Sequence, residues 1–81
     1  MDTDTPYISV NSNICHGKPC FKGTRIMVYL VLGMLAAGEK PEQIIKKAYP
    51  QLTEKHIQAA LQFAAEMLKF REQYFELPTH A

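Results

Sequence analysis

Tyr49-Pro50-Gln51-Leu52-Thr53-Glu54-Lys55-His56-Ile57 is the stretch on which the fold turns. Pro50 cannot continue a helix, because it lacks the backbone N–H that the i→i+4 ladder needs. Thr53 starts another: its hydroxyl suits an orphan N–H of the first turn, worth about 1 kcal/mol. Leu52 and Ile57 stand where a hydrophobic staple brackets such a start. A helix therefore ends and a second begins within a few residues, the spacing of a helix-turn-helix pair.

The patterns on either side of this turn complete the outline. Downstream, Ile57, Ala60, Leu61, Ala64 and Leu68 recur at helical spacing and predict a core stripe on a third helix over about 54–74. Upstream, Pro41 suits the first position of a second helix over about 41–49 that buries Ile44, Ile45 and Ala48. Before it, Val28–Ala37 is apolar nearly all round, which predicts a first helix over about 27–37 enclosed by other elements, with Gly38 as its left-handed stop. Tyr7-Ile8-Ser9-Val10 reads as a strand, and Asn11-Ser12-Asn13 as a turn. Gly17-Lys18-Pro19 lies between the apolar pairs Ile14-Cys15 and Cys20-Phe21, so a hairpin or compact loop is expected within 7–23. The fold class is mainly α, a three-helix, helix-turn-helix-like bundle behind a short β-strand or hairpin. One domain over 7–74 is expected, with residues 1–6 disordered and 75–81 a flexible tail.

Composition narrows the function classes. The chain has 81 residues, 47% of them hydrophobic and 21% charged, which is globular usage. A domain this small buries only about 60% of its unfolded surface, so a partner helps it. Its longest apolar stretch, Ile26–Ala37, falls short of the roughly 20 residues that span a bilayer. No membrane association is expected. The acidic start Met1-Asp2-Thr3-Asp4 lacks a basic leader region, which points to the cytoplasm. Two cysteines make no disulfide framework. The net charge of +1 conceals a basic segment: residues 5–38 hold Lys18, Lys22 and Arg25 and no acid. Such a segment suits an anionic partner.

Two segments carry a resemblance. The first runs Ile14-Cys15-His16-Gly17-Lys18-Pro19-Cys20-Phe21-Lys22-Gly23-Thr24-Arg25-Ile26-Met27-Val28. The second is Gly38-Glu39-Lys40-Pro41-Glu42-Gln43-Ile44-Ile45, followed by Tyr49-Pro50-Gln51-Leu52-Thr53 and Ile57-Gln58-Ala59-Ala60-Leu61. In these the chain resembles the prokaryotic family labelled domain of unknown function 433. That pattern has a Gly-Lys-Pro loop, a Gly-Thr-Arg-Ile segment, a Gly-x-x-Pro-Glu-x-Ile helix start and a Tyr-Pro-x-Leu-Thr turn. The resemblance spans roughly Tyr7–Leu68. It implies a homeodomain-like helix-turn-helix protein of the antitoxin type, one that neutralises a PIN-like ribonuclease toxin and represses its own operon. Two positions depart from the pattern: Lys40 replaces the usual Ser or Thr before the helix-starting proline, and Cys20 replaces an aliphatic residue.

Candidate sites follow. Arg25 suits a DNA phosphate or a partner carboxylate through its planar fork, and equally a carbonyl of its own fold. Lys18, Lys22, Lys46, Lys47 and Lys55 are phosphate candidates or solubilising lysines. His56 and Gln58, with Lys55, are the base-reading candidates on the third helix, against which Glu54 at the helix tip repels phosphate. Phe63, Met67, Phe70 and Tyr74 form a second apolar stripe; with Phe75 and Leu77 they predict a homodimer seam or a strip received by a toxin groove. The alternative is that they fold back on the domain. Cys15, His16 and Cys20 supply three of the four ligands structural zinc needs, so no metal is expected. No catalytic constellation is legible, which predicts neither enzyme activity, a cofactor nor a small-molecule substrate. Operator DNA remains a possible partner, and a dimeric interaction module without DNA binding is the alternative function.

Overall fold

The structure, a computed structural model, describes the backbone of residues 3–4 and 6–74 and the side chains of residues 6–70. Three short strands lead three helices. β1 (Thr3–Asp4), β2 (Ile8–Val10) and β3 (Cys20–Phe21) form an antiparallel sheet in the order β1-β2-β3. Ile8 stands opposite Phe21 and Ser9 opposite Cys20; on the other edge Thr3 meets Val10 and Asp4 meets Ser9. Residues 1–6, expected to lack order, thus include a paired strand. β2 is the central strand, paired with β1 on one side and β3 on the other.

The expected hairpin or compact loop is found as an antiparallel β2–β3 pair joined by a compact connection. Ile14-Cys15 is not a strand. Asn11 makes an Asx turn, accepting the Asn13 N–H on its side-chain oxygen at 2.8 Å. The chain then winds through a 3-10 turn, Cys15–Gly17. All three residues of that turn have positive φ: 53° at Cys15, 57° at His16 and 80° at Gly17. Only after this does β3 return beside β2.

The corner Phe21-Lys22-Gly23-Thr24 explains the Gly-Thr-Arg-Ile segment. Gly23 has φ +80°, the conformation a type II turn demands at its third residue. Thr24 closes the turn twice, its N–H (2.9 Å) and its hydroxyl (2.8 Å) both donating to the Phe21 carbonyl. The same hydroxyl accepts the Ile26 N–H at 3.0 Å. Ile26 is buried and Arg25 is left exposed.

α1 (Val28–Ala36) ends as its glycine predicts. Gly38, at φ +97°, donates to the Leu35 carbonyl, while Glu39 donates back to Met34, the paired bonds of a Schellman stop. The helix is not enclosed, however. Val28 and Val31 are buried, whereas Tyr29 is 56% exposed and Leu30 41%. A nine-residue helix packed against α3 on one side has too few neighbours to cover the rest.

The second helix is less regular than its sequence suggests. α2 (Pro41–Gln43) is a single α-turn, and Ile44–Ala48 continues it with π-helical i→i+5 bonding, such as Tyr49 N–H to the Ile44 carbonyl at 3.0 Å. Lys40 gives no side-chain cap, as its departure from Ser or Thr implies. Ile44 is fully buried and Ile45 partly, but Ala48, expected inside, is exposed. The wider winding swings the end of the segment away from the face that Ile44 buries.

α3 (Glu54–Tyr74) is 21 residues long, about 32 Å at 1.5 Å per residue, against about 14 Å for α1. Its inner half meets the core of Ile8, Phe21, Ile26, Val28, Val31, Ile44, Leu52, Ile57 and Ala60. Its outer half outruns every other element. The predicted core stripe accordingly holds only at its start. Ile57 and Ala60 are buried, Ala64 is half-buried, and Leu61 and Leu68 are 50% and 59% exposed. The observed class is the expected one: three helices and a small antiparallel sheet, mainly α.

Candidate partner and nucleic-acid interface

The turn from α2 to α3 is tied by its own side chains. His56 N–H donates to the Thr53 carbonyl at 3.0 Å, so the Thr53 hydroxyl is not the cap that the sequence suggests. Instead Thr53 N–H donates to His56 Nδ1 at 3.0 Å, with the Thr53 hydroxyl 2.9 Å from the same nitrogen. A backbone N–H can only donate, so Nδ1 is the acceptor, the hydroxyl also donates, and Nε2 carries the ring proton. His56 thereby fills the role that Glu or Gln plays in a capping box. Its ring also stands edge-on to Tyr7 (5.0 Å between centroids) and Phe21 (5.7 Å). The residue proposed to read bases is half-buried in the joint between sheet and helix.

Lys55 and Gln58 do remain exposed, but not on an open recognition face. They line a groove of about 480 Å³ whose other wall is Pro6, Tyr7 and Ile8. Ala59 and Phe63 contribute its apolar side, and Gln62 and Glu66 its far end, where Gln62 Nε2 donates to Glu66 Oε2 at 3.4 Å. The groove therefore mixes one cation, one carboxylate and apolar surface, which is unlike a phosphate cradle. It gathers residues that sequence reasoning had assigned to two separate surfaces, since Phe63 was placed with the partner strip. Phe63 instead packs partly on the core.

The remaining cations are dispersed. Lys18 Nζ sits 5.6 Å from the centre of the Tyr29 ring, a cation–π contact that holds it over α1. Arg25 borders a shallow depression with Ile14, Gly23 and Thr24, while Lys22 is on the same corner and Lys46 and Lys47 are exposed on the π-helical segment.

The outer half of α3 exposes more apolar surface than the sequence stripe implied. Leu61 and Leu68, seven residues apart, fall on one side with Ala65 between them; at 3.6 residues per turn Phe70 falls roughly 180° away and Met67 roughly 100–120° away. Met67 is 49% exposed and Phe70 51%. The side chain of Tyr74, and all of Phe75 and Leu77, lie outside the described residues. Leu61 and Leu68, together with Tyr29 and Leu30 on α1, are surface residues that sequence reasoning missed. Their periodicity is that of a core stripe, and no local signal shows that the core has ended.

Among the described residues no group of three His, Cys, Asp or Glu is placed to hold a metal ion. The Cys20 thiol is pushed above its ordinary pKa, first by burial, then by a hydrogen bond to Cys15 and by the nearness of that second thiol. It is a neutral thiol at neutral pH, ill-suited to ligation or nucleophilic attack. Among the described residues no helix is long and apolar enough to cross a membrane.

Neither the curated proteins nor the solved structures yield a match to this chain. A family model described as "Protein of unknown function (DUF433)" matches residues 8–64, from β2 through the sheet corner and both early helices to the inner half of α3. With most of its length so matched, the chain belongs to the DUF433 family.

Proposed function

We propose that this protein is antitoxin-like: a small partner-binding protein whose α3 docks on a PIN-like ribonuclease toxin, and whose basic corner contributes to binding and repressing its operon DNA. The observation that carries this reading is the exposure of Leu61 (50%), Met67 (49%) and Leu68 (59%) on a helix that extends past its own core. A helix apolar on opposite sides is stable when other chains enclose it. A toxin groove that receives Leu61, Ala65 and Leu68 as i, i+4 and i+7 anchors, while its rim covers Met67, meets that requirement. A homodimer through α1 and α3 meets part of it. The toxin itself is what the family resemblance implies.

DNA binding rests on Lys22, Arg25, Lys46, Lys47 and Lys55 as phosphate contacts, with base reading reduced to Lys55 and Gln58 because His56 is turned inward. That inward turn favours a second reading, an interaction module without DNA binding. Co-expression with a neighbouring PIN-like ribonuclease decides the first point: a stable complex and silenced ribonuclease support docking, and separate elution with full ribonuclease activity overturns it. Mobility shift of the promoter fragment, by this chain alone and in the complex, decides between operator binding and the DNA-free reading.

A further inference from the structure

The groove between α3 and the wall at Pro6 and Tyr7 takes no part in the proposed toxin docking. Leu61, Ala65 and Leu68 lie about 120° round the helix from its centre line, at 100° per residue. Its charges stand at its ends. Lys55 is at one end and Glu66 at the other, about 16 Å apart along α3 at 1.5 Å per residue. Both are exposed. Among the described residues the Lys55 side chain has no hydrogen-bond or ion-pair partner, and the Glu66 carboxylate accepts only the Gln62 amide, at 3.4 Å. Between the charges lie Ala59 and Phe63, each half-buried, with Pro6 and Tyr7 as the opposite wall.

The positions that α3 contributes to the groove are unchanged when the helix is reversed. Turning α3 end for end about the level midway between Ala60 and Leu61 exchanges Lys55 with Glu66, Gln58 with Phe63 and Ala59 with Gln62. At the charged ends this exchange swaps a cation for a carboxylate. A surface with that property is complementary to itself about a two-fold axis, which is what a symmetric dimer contact requires. We propose that the groove is the seam of a homodimer, in which α3 of a second copy lies antiparallel against it. Each Lys55 then faces the partner's Glu66, so an opposite-charge pair closes each end of the seam. Phe63 of each chain comes to the level of the partner's Gln58, beside the partner's Pro6 and Tyr7.

Charge selects this arrangement over its alternative. A parallel pairing in register sets Lys55 against the partner's Lys55 and Glu66 against the partner's Glu66, like charges at both ends. Exposed ion pairs add little affinity by themselves, so their part is to fix direction and register. Phe63, Ala59 and the Pro6–Tyr7 wall supply the apolar area removed from water. Ala59, with its small side chain, lets the second helix come close near the two-fold axis. The seam leaves Leu61, Ala65 and Leu68 open, so the dimer and the proposed toxin complex are compatible. It covers Lys55 and Gln58, which leaves operator contacts by the dimer to Lys22, Arg25, Lys46 and Lys47.

The test is sedimentation equilibrium of the full-length chain over a range of concentrations, with circular-dichroism melts to check that each variant folds. Wild type is expected to dimerise. K55E and E66K each put like charges at both ends of the seam, and each should weaken the dimer at least about tenfold. K55E/E66K reverses both pairs and should return to within about threefold of wild type. An equimolar mixture of K55E and E66K should form a heterodimer, because each chain brings the charges the other lacks. L68E should leave dimerisation unchanged, so that this seam and the toxin docking fail separately. The proposal is overturned by wild type that stays monomeric up to millimolar concentration, or by a dimer that both single variants leave intact. Single variants that neither the double variant nor the mixture rescues overturn it as well. So does a dimer broken by L68E, which moves the seam to another face of α3, and so do charge swaps that alter toxin binding alone, which give the groove to the toxin. Where one single variant fails to fold, the other decides together with the double variant.

Discussion

His56 is the residue on which two elements lean. Its Nδ1 satisfies the Thr53 backbone, and its ring fills the joint against Tyr7 and Phe21. H56A removes a cap and two edge-on ring contacts, and should cost about 1–2 kcal/mol of stability in a denaturant titration. H56Q restores a side chain able to complete the capping box and should recover part of that loss. Equal loss in both variants would show that the capping bond contributes nothing. The glycines offer a second contrast. Gly33 lies within α1 with nothing within 4 Å of an added Cβ, so G33A should stabilise the fold by about 0.5–1 kcal/mol. Gly23 is equally uncrowded but has φ +80°, and G23A should destabilise by about 1–2 kcal/mol. Thermal melts of the two variants should shift in opposite directions.

At the scale of elements, α3 divides into two functional halves. Its inner half is structural: I57A removes a buried side chain from the core and should cost about 2–5 kcal/mol, a large part of the stability of a domain this small. Its outer half tolerates change in the isolated protein. L68E should leave the free chain within about 0.5 kcal/mol of wild type, because the site is 59% exposed. The same substitution places a charge in the proposed toxin groove and should weaken the complex at least about tenfold, equivalent to about 1.4 kcal/mol. Calorimetry on the complex and a melt of the free chain separate the two effects. A destabilised free chain with unchanged binding would return Leu68 to the core.

The whole molecule is elongated for its length. Its radius of gyration is 13.7 Å, against about 12 Å for a compact chain of this size, which is the mark of a helix that outruns its body. At this scale the DNA reading makes its own prediction. If Lys22, Arg25, Lys46, Lys47 and Lys55 each neutralise a phosphate, affinity should fall about 500-fold between 50 and 200 mM salt. A shallow salt dependence would leave the lysines as solubilising charges and favour the interaction module.

Much of this protein is written locally. Pro41, Pro50, Gly38 and the Thr53–Ile57 start place the helix boundaries within a residue or two, since caps and stops act on their own backbone neighbours. The class of fold and the family segments are legible for the same reason. Tertiary structure decided what a helical period cannot encode, namely how far the core extends along each helix. The stripe Ile57, Ala60, Leu61, Ala64, Leu68 is continuous in sequence, yet burial stops where the short body has no further surface to offer. It also decided the role of His56, because the sheet lies over one face of α3 and turns an exposed-looking residue inward. The contact of the Cys15 thiol with the Arg25 carbonyl likewise depends on a left-handed turn between two strands, a path that neither residue's immediate neighbours specify.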